Sequence, residues 1–352
     1  MSNMTVVICN YNYGEYLRGA IDSALKQTAG ATQVLVIDDG STDDSRDIIH
    51  SYGERITAIF QENGGQVAAY NRALEHIDST YVIFLDADDL LYADAVSRVI
   101  AAFSSGDYVK VQFTLDVVTH EGAKTGVTVP QSMAVADCGK LLRAGWLYPS
   151  PPGSGNAYRV AALKRIFPIP VTTDNLYGAD FYAIYGIALL GDVYMLDLPL
   201  GGYRVHRSAA SVASGANGSA AALAFANSEG PLASAKKAES RWSTLRVVVQ
   251  RRLGETLPVA FFDFSTEKAH FASRLYQAPL ARRWRWFMLE SGSYFHTVLA
   301  NPFWSIRKKF AVSCLTVLCL SPLASVSDRA VRYIANPLSR AGRVGKLRSD
   351  AS

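Results

Sequence analysis

Tyr81-Val82-Ile83-Phe84-Leu85-Asp86-Ala87-Asp88-Asp89 runs from an apolar stretch directly into three carboxylates. The apolar part, rich in β-branched and aromatic residues and only five long, reads as a buried parallel strand. Carboxylates crowded behind such a strand repel one another unless a cation or ordered donors compensate. A hard divalent cation with oxygen ligands supplies that compensation, and it can also take two phosphate oxygens. An isolated Asp-x-Asp is common as a helix cap, so its surroundings decide its meaning.

Upstream lie three similar runs, Thr5–Cys9, Val34–Ile37 and Ala58–Gln61. Helical patterns separate them. Leu17, Ile21 and Leu25 recur at helical spacing after the first run. Ser41 and Asp44 have capping-box spacing after the second, which predicts a helix through Ile48-Ile49. Val67, Leu74 and Ile77 share one face of a third helix. Strands alternating with helices predict a βαβ series and a twisted, mainly parallel sheet. Such sheets bind ligands at the carboxyl ends of their strands. Asn10-Tyr11-Asn12, Asp38-Asp39-Gly40 and Asp86-Ala87-Asp88 each directly follow a strand. A carboxylate in the second group can accept from a base N–H or a ribose hydroxyl, and one of Asp38 and Asp39 is expected only to form the turn with Gly40.

Downstream the pattern is less regular. Tyr108–Val118 alternates like a strand and Gly139–Ala144 reads as helical. Tyr148 to Asn156, rich in Pro, Gly and Ser, reads as a loop. Helices are expected around Tyr158–Ile166 and Asp180–Leu190, then a short strand at Val193–Leu196. The Ala/Ser/Gly-rich residues 208–235 are a candidate linker, and residues 236–352 a basic, mainly helical extension.

The balance of charge supports this division. Of the 352 residues 49% are hydrophobic and 19% charged, which fits a globular chain. Residues 1–235 hold 15 Lys/Arg against 24 Asp/Glu, while residues 236–352 hold 20 against 7. An acidic first part suits a metal site, and a basic tail suits an anionic surface or a solvated helical face. Cys9, Cys138, Cys314 and Cys319 form neither a disulfide framework nor a zinc-ligand spacing, in keeping with reduced thiols in a cytoplasmic protein. The N-terminus does not read as a secretory signal. Phe310–Val326, interrupted by Ser313, Ser321 and Pro322, is a poor membrane span.

Four ordered motifs together resemble the inverting family 2 glycosyltransferases, which have the GT-A fold with a Rossmann-like mixed sheet. They are Val6-Val7-Ile8-Cys9-Asn10-Tyr11-Asn12, Val36-Ile37-Asp38-Asp39-Gly40-Ser41-Thr42-Asp43-Asp44-Ser45, Asn63-Gly64-Gly65 with Ala69 and Asn71, and Phe84-Leu85-Asp86-Ala87-Asp88-Asp89. The resemblance covers about residues 4–206, and a catalytic domain of residues 1–207 is expected from it. It implies that Tyr11 and Asp39 contact the nucleotide base, Asp86 the ribose, and Asn63 and Gly65 the loop beside the nucleotide. It implies manganese or magnesium on Asp88 against the diphosphate. Ala179-Asp180 stands where the family carries Glu-Asp, so the Glu is lost and Asp180 is the implied general base, with Asp174 next in line. His206 in Tyr203-Arg204-Val205-His206 resembles the histidine that approaches the metal or diphosphate, against an ordinary structural role. Ser154-Gly155-Asn156 lines the acceptor pocket in a similar subgroup, or is a plain helix-entry turn.

The implied function is inverting transfer of one sugar, from a UDP-sugar first of all, to a glycan, lipid-linked or other glycoconjugate acceptor in cell-surface polysaccharide synthesis. The Gln-x-x-Arg-Trp of processive members is missing from Arg282-Arg283-Trp284-Arg285-Trp286. The competing reading is a degenerate member that binds nucleotide-sugar or serves as an assembly partner. In the extension, Arg282–Trp286 and Arg307-Lys308-Lys309 combine cations with tryptophans. They suggest peripheral contact at the inner membrane face, with a helical hairpin or an oligomer interface as the rival. No recognisable nucleic-acid module is present.

Overall fold

The chain is described by a computed structural model covering residues 3–29, 32–130, 137–173, 175–206 and 231–335. Asp174 and most of the candidate linker lie outside the described residues. The chain divides into two compact units, Met1–Arg204 with Ser240–Phe261, and Val205–Glu239 with Phe262–Ser352.

The first unit is built on one mixed sheet. Its parallel half contains β1 (Met4–Asn10), β2 (Thr32–Asp38), β3 (Thr57–Phe60) and β4 (Tyr81–Asp86), in the order β3-β2-β1-β4. These are the four apolar runs: β1, β2 and β4 are longer than expected by two, three and one residues, and β3 lies one residue earlier than Ala58–Gln61. Register pairs Asn10 with Asp38 and Cys9 with Asp86, so the carboxyl ends of the strands finish side by side. Side chains alternate between two buried faces. Met4, Val6, Ile8, Val34, Val36, Ile83 and Leu85 enter one core cluster. α1 (Gly14–Leu25) adds Leu17, Ala20, Ile21 and Ala24 to it, and α4 (Ala95–Ser104) adds Val96, Val99 and Phe103. Toward the other face, Tyr70 of α3 (Gly65–Glu75) packs on Phe84, ring centroids 3.8 Å apart.

β5 (Leu90–Leu91), β6 (Tyr108–Val118) and β7 (Lys124–Val129) precede α5 (Cys138–Arg143). β8 (Asn156–Arg159) then joins β4 to β6, antiparallel to both. The sheet therefore mixes directions. Tyr158, expected in a helix, lies in β8, and the helix α6 (Val160–Ile166) starts two residues later. α7 (Ala179–Ile187) leads into β9 (Asp192–Arg204), which runs parallel to β6 and is far longer than Val193–Leu196.

The helix expected after Ser41 forms as α2 (Ser45–His50), but Ser41 does not cap it. Asp44 is the N-cap residue, without a side-chain cap bond. The Ser41 hydroxyl instead accepts from Asn10 Nδ2 and the Asn12 N–H, both at 3.0 Å. α8 (Pro231–Leu253) begins inside the candidate linker. Its part from Ser240 on belongs to the first unit. There Trp242 is buried and donates to the Pro258 carbonyl, and Arg252 donates to the carbonyls of Phe167 and Pro168.

The second unit contains α9 (Phe264–Leu275), α10 (Leu280–Leu289), α11 (Gly292–Leu299), α12 (Ile306–Leu318) and α13 (Ala324–Ala335). Phe271, Leu275, Trp286, Tyr294, Val298, Val312, Val331 and Ile334 form its core. Arg283 is buried and paired with Asp328 at 3.1 Å. Among the described residues no helix is long and apolar enough to cross a membrane.

Candidate donor and acceptor site

The turn after β2 divides its two carboxylates between two tasks. Asp38 is buried. It accepts from Asn10 Nδ2, the Ser41 N–H and Arg46 Nε at 3.1, 3.1 and 3.2 Å, so it shapes its own turn. Asp39 reaches forward. Its oxygens accept from the N–H groups of Gly64 and Gly65 at 2.9 and 2.8 Å, and from Gln61 Nε2 at 2.7 Å. The aspartate expected at the base thus also holds the Asn63-Gly64-Gly65 loop in place. Two close approaches need glycine here. Gly40 has φ +78°, and a Cβ would lie 2.8 Å from the Asn63 nitrogen. Gly65 has φ +81°, and a Cβ would lie 2.5 Å from the Leu176 carbonyl oxygen.

From that loop the support continues to α7. The Val67 N–H donates to the Leu176 carbonyl. Gln66 Oε1 accepts from the N–H groups of Gly178 and Ala179 at 2.8 and 3.1 Å. A helix start leaves such donors unpaired. Here a residue of α3 satisfies two of them, immediately before Asp180. Gly178 has φ +95°, and the guanidinium of Arg241 from α8 packs against it. Gln66 and Arg241 carry no local sequence signal for this position. What links them to the site is their contact with the start of α7.

The carboxylates after β4 meet the same region from the other side. A Cβ built on Gly153 would lie 3.5 Å from Asp180 Cβ and 3.5 Å from Asp86 Oδ2. Asp86 and Asp180, 94 positions apart, therefore flank one small residue. Ser154 ties the turn together. Its hydroxyl accepts from the Asp86 N–H at 3.0 Å and donates to Asp89 Oδ2 at 2.6 Å. Asn156 Nδ2 donates to the Pro152 carbonyl at 2.8 Å and so holds the turn that presents Gly153 and Ser154.

Arg204, at the end of β9, closes the arrangement. Its N–H donates to Asp89 Oδ1 at 2.9 Å and its Nε to the Asp88 carbonyl at 2.8 Å, while Nη1 reaches the carbonyls of Thr119 and His120. The tetrapeptide containing Arg204 is visible in the sequence, where His206 draws attention instead. His206 is half-buried, follows β9 by two residues and is counted with the second unit.

Crowding has an electrostatic cost. Burial, then the charges of Asp88 and Asp180, push the Asp86 carboxyl up to about 8, against an opposing hydrogen bond from Ser154. Burial and the charges of Asp88 and Asp86 hold Asp89 well above the usual carboxylate range. The phenol of Tyr13 is raised by burial and then by Asp88 and Asp86. Tyr11 and Tyr13 are both 40% exposed. Among the described residues no group of three His, Cys, Asp or Glu is arranged to hold a metal alone. The crowded carboxylate oxygens instead fit a hard divalent ion held by one or two carboxylates, with substrate phosphates completing its shell.

A mixed sheet of this order, with aspartates at its carboxyl ends and a helical C-terminal region, is the GT-A architecture of the nucleotide-diphospho-sugar transferases. The crystal structure of S. aureus TarS matches 95% of this chain and 55% of its own, with TM-score 0.52 and 17% identity. TarS 1–349 in complex with UDP-GlcNAc matches 98% and 92%, with TM-score 0.50 and 18% identity. Residues 5–167 match the model of glycosyl transferase family 2. An uncharacterized glycosyltransferase of Nostoc sp. is 37% identical over 213 residues, 58% of this chain and 65% of that protein. Over these N-terminal residues the chain is similar to glycosyl transferase family 2. It spans 65% of the Nostoc protein and between 14% and 43% of the other curated relatives compared.

Proposed function

We propose that the chain transfers one sugar from a nucleoside-diphosphate sugar to a hydroxyl of a glycan, a lipid-linked or another glycoconjugate acceptor. The anomeric centre is inverted, and the product belongs to cell-surface polysaccharide. The observation that carries this reading is the meeting of Asp86 and Asp180 across Gly153, one from a strand end and one from a helix start. UDP is the nucleotide to try first, since TarS, which shares the fold, is described with UDP-GlcNAc.

On the donor side the exposed Tyr11 ring packs against the base. Asp39 receives a base N–H while it holds the loop of Asn63 and Gly65. Asp86 receives a ribose hydroxyl. Asp88 would hold manganese or magnesium. When bound, such an ion offsets charge on the departing diphosphate.

Asp180 carries the acceptor side. As the acceptor oxygen bonds to the anomeric carbon, its proton passes to the Asp180 carboxylate. The bond from that carbon to the diphosphate oxygen breaks, and its electron pair leaves with the nucleoside diphosphate. Attack opposite to departure gives inversion. Asp180→Asn is expected to abolish transfer and to leave the Kd for UDP within about twofold, because the base does not bind the nucleotide. Retained transfer in this variant would remove Asp180 from the role and make Asp174 the next residue to replace.

A further inference from the structure

α12 shows apolar side chains on both sides. Val312 and Thr316 face the core of the second unit. On the opposite side Ile306, Phe310, Val317 and Leu318 are 85%, 70%, 53% and 50% exposed. Their spacing puts them on one face of the helix, with the exposed thiol of Cys314 between them. Scattered exposed apolar residues are ordinary, whereas a contiguous stripe of them marks a contact surface.

The charges next to this stripe identify its occupant. Arg307, Lys308 and Lys309 occupy the first turn of α12, where the helix's own field favours anions rather than cations. Their placement therefore works against the helix and suits an external anion. The Lys308 ammonium lies 4.4 Å from the centre of the Trp304 ring, just ahead of the helix. α10 repeats this chemistry. Trp284, Met288 and Leu289 are 47%, 70% and 76% exposed, with exposed Arg282 and Arg285 between and beside them, while Arg283 and Trp286 face inward. From residue 262 onward the chain holds 14 Lys/Arg against 5 Asp/Glu. Apolar side chains flanked by cations and tryptophan match a layer with an acyl boundary beneath anionic headgroups.

We infer that the outward face of α12, centred on Ile306, Phe310 and Val317 and flanked by Arg307–Lys309, docks on an anionic lipid bilayer. The apolar stripe enters the acyl boundary and the cations meet lipid phosphates. This surface is independent of the catalytic reading, because it uses none of the residues placed at the donor or acceptor.

Cys314 provides a local probe. Cys138 and Cys319 are buried, and the half-buried Cys9 thiol is held protonated by burial. The full chain labelled at Cys314 with a polarity-sensitive fluorophore is mixed with vesicles of phosphatidylcholine, with or without phosphatidylglycerol. The expected result is a blue shift and co-sedimentation with the anionic vesicles only. Phe310→Ser or Ile306→Ser should weaken partitioning about tenfold each through lost apolar burial. Arg307→Gln or Lys309→Gln should weaken it about fivefold each. These exposed substitutions should leave the melting curve in place, which separates lost binding from lost folding. No shift with anionic vesicles overturns the assignment, as does an equal shift on neutral ones. A shift that grows with protein concentration without lipid, together with a doubled mass in light scattering, overturns it in favour of a second copy on this face.

Discussion

Replacing Asp86 by Asn should make the ligand-free protein more stable at neutral and alkaline pH, although Asp86 is part of the proposed donor site. Its carboxyl is pushed from 3.8 to about 8 by burial and by the charges of Asp88 and Asp180. The native state therefore holds a proton that the unfolded chain releases near pH 4. Where the native state binds more protons, stability falls as pH rises, here through the whole interval from about 4 to about 8. Each unit corresponds to about 1.4 kcal/mol, so by pH 7.5 the ionisable carboxyl costs the wild type roughly 5 kcal/mol at most. Partial relaxation of the site leaves about 2–4 kcal/mol of this as a net cost. Asn keeps the shape and does not titrate. Asp86→Asn should thus melt roughly 5–10 °C above the wild type at pH 7.5, with the two curves converging near pH 4. Thermal melts by circular dichroism over that pH range, without divalent cation, measure the gap directly. A gap that does not widen with pH, or a variant less stable at pH 7.5, would refute the electrostatic account of the cluster.

Other substitutions probe the supports of the site. Gln66→Leu removes the acceptor shared by the Gly178 and Ala179 N–H groups and should lower kcat about tenfold through misplacement of Asp180. UDP affinity should be unchanged and Gln66→Glu should restore part of the rate; an unchanged kcat in Gln66→Leu would show that α7 holds its place without this cap. Arg204→Gln loses the contacts to the Asp88, Thr119 and His120 carbonyls and should destabilise the fold by about 1–3 kcal/mol in urea titration. An unchanged midpoint would show that β9 is not tied to the aspartate turn through this side chain.

Within the parallel half, β1, β2 and β4 are legible because they are short, apolar and mostly buried, which leaves little competition from other patterns. β8 is not. Its four residues run without a break into the apolar residues of α6, and only distant partners, β4 and β6, make Asn156–Arg159 extended. Ser41 shows the same limit at a smaller scale. Its spacing to Asp44 fits a capping box, yet Asn10 and Asn12, some thirty positions earlier, take the hydroxyl. In the site, Asp39, Asp86, Asp88 and Asp180 stand out because strand ends and helix starts announce themselves locally. Gly153, Gln66, Arg204 and Arg241 gain their meaning only from chain segments brought together by folding. Gly153 in particular is one more glycine in a Pro/Gly-rich loop until Asp86 and Asp180 close on it from two sides.

The most direct measurement of the central claim is release of nucleoside diphosphate from a panel of nucleotide-sugars, by wild type and by Asp88→Asn, with manganese and with chelator. Turnover of at least one donor, a UDP-sugar first, is expected in the wild type with manganese. A loss of at least about a hundredfold is expected in Asp88→Asn and with chelator. No turnover of any donor, or full turnover in Asp88→Asn, would contradict the reading of Asp86-Ala87-Asp88 as the donor site.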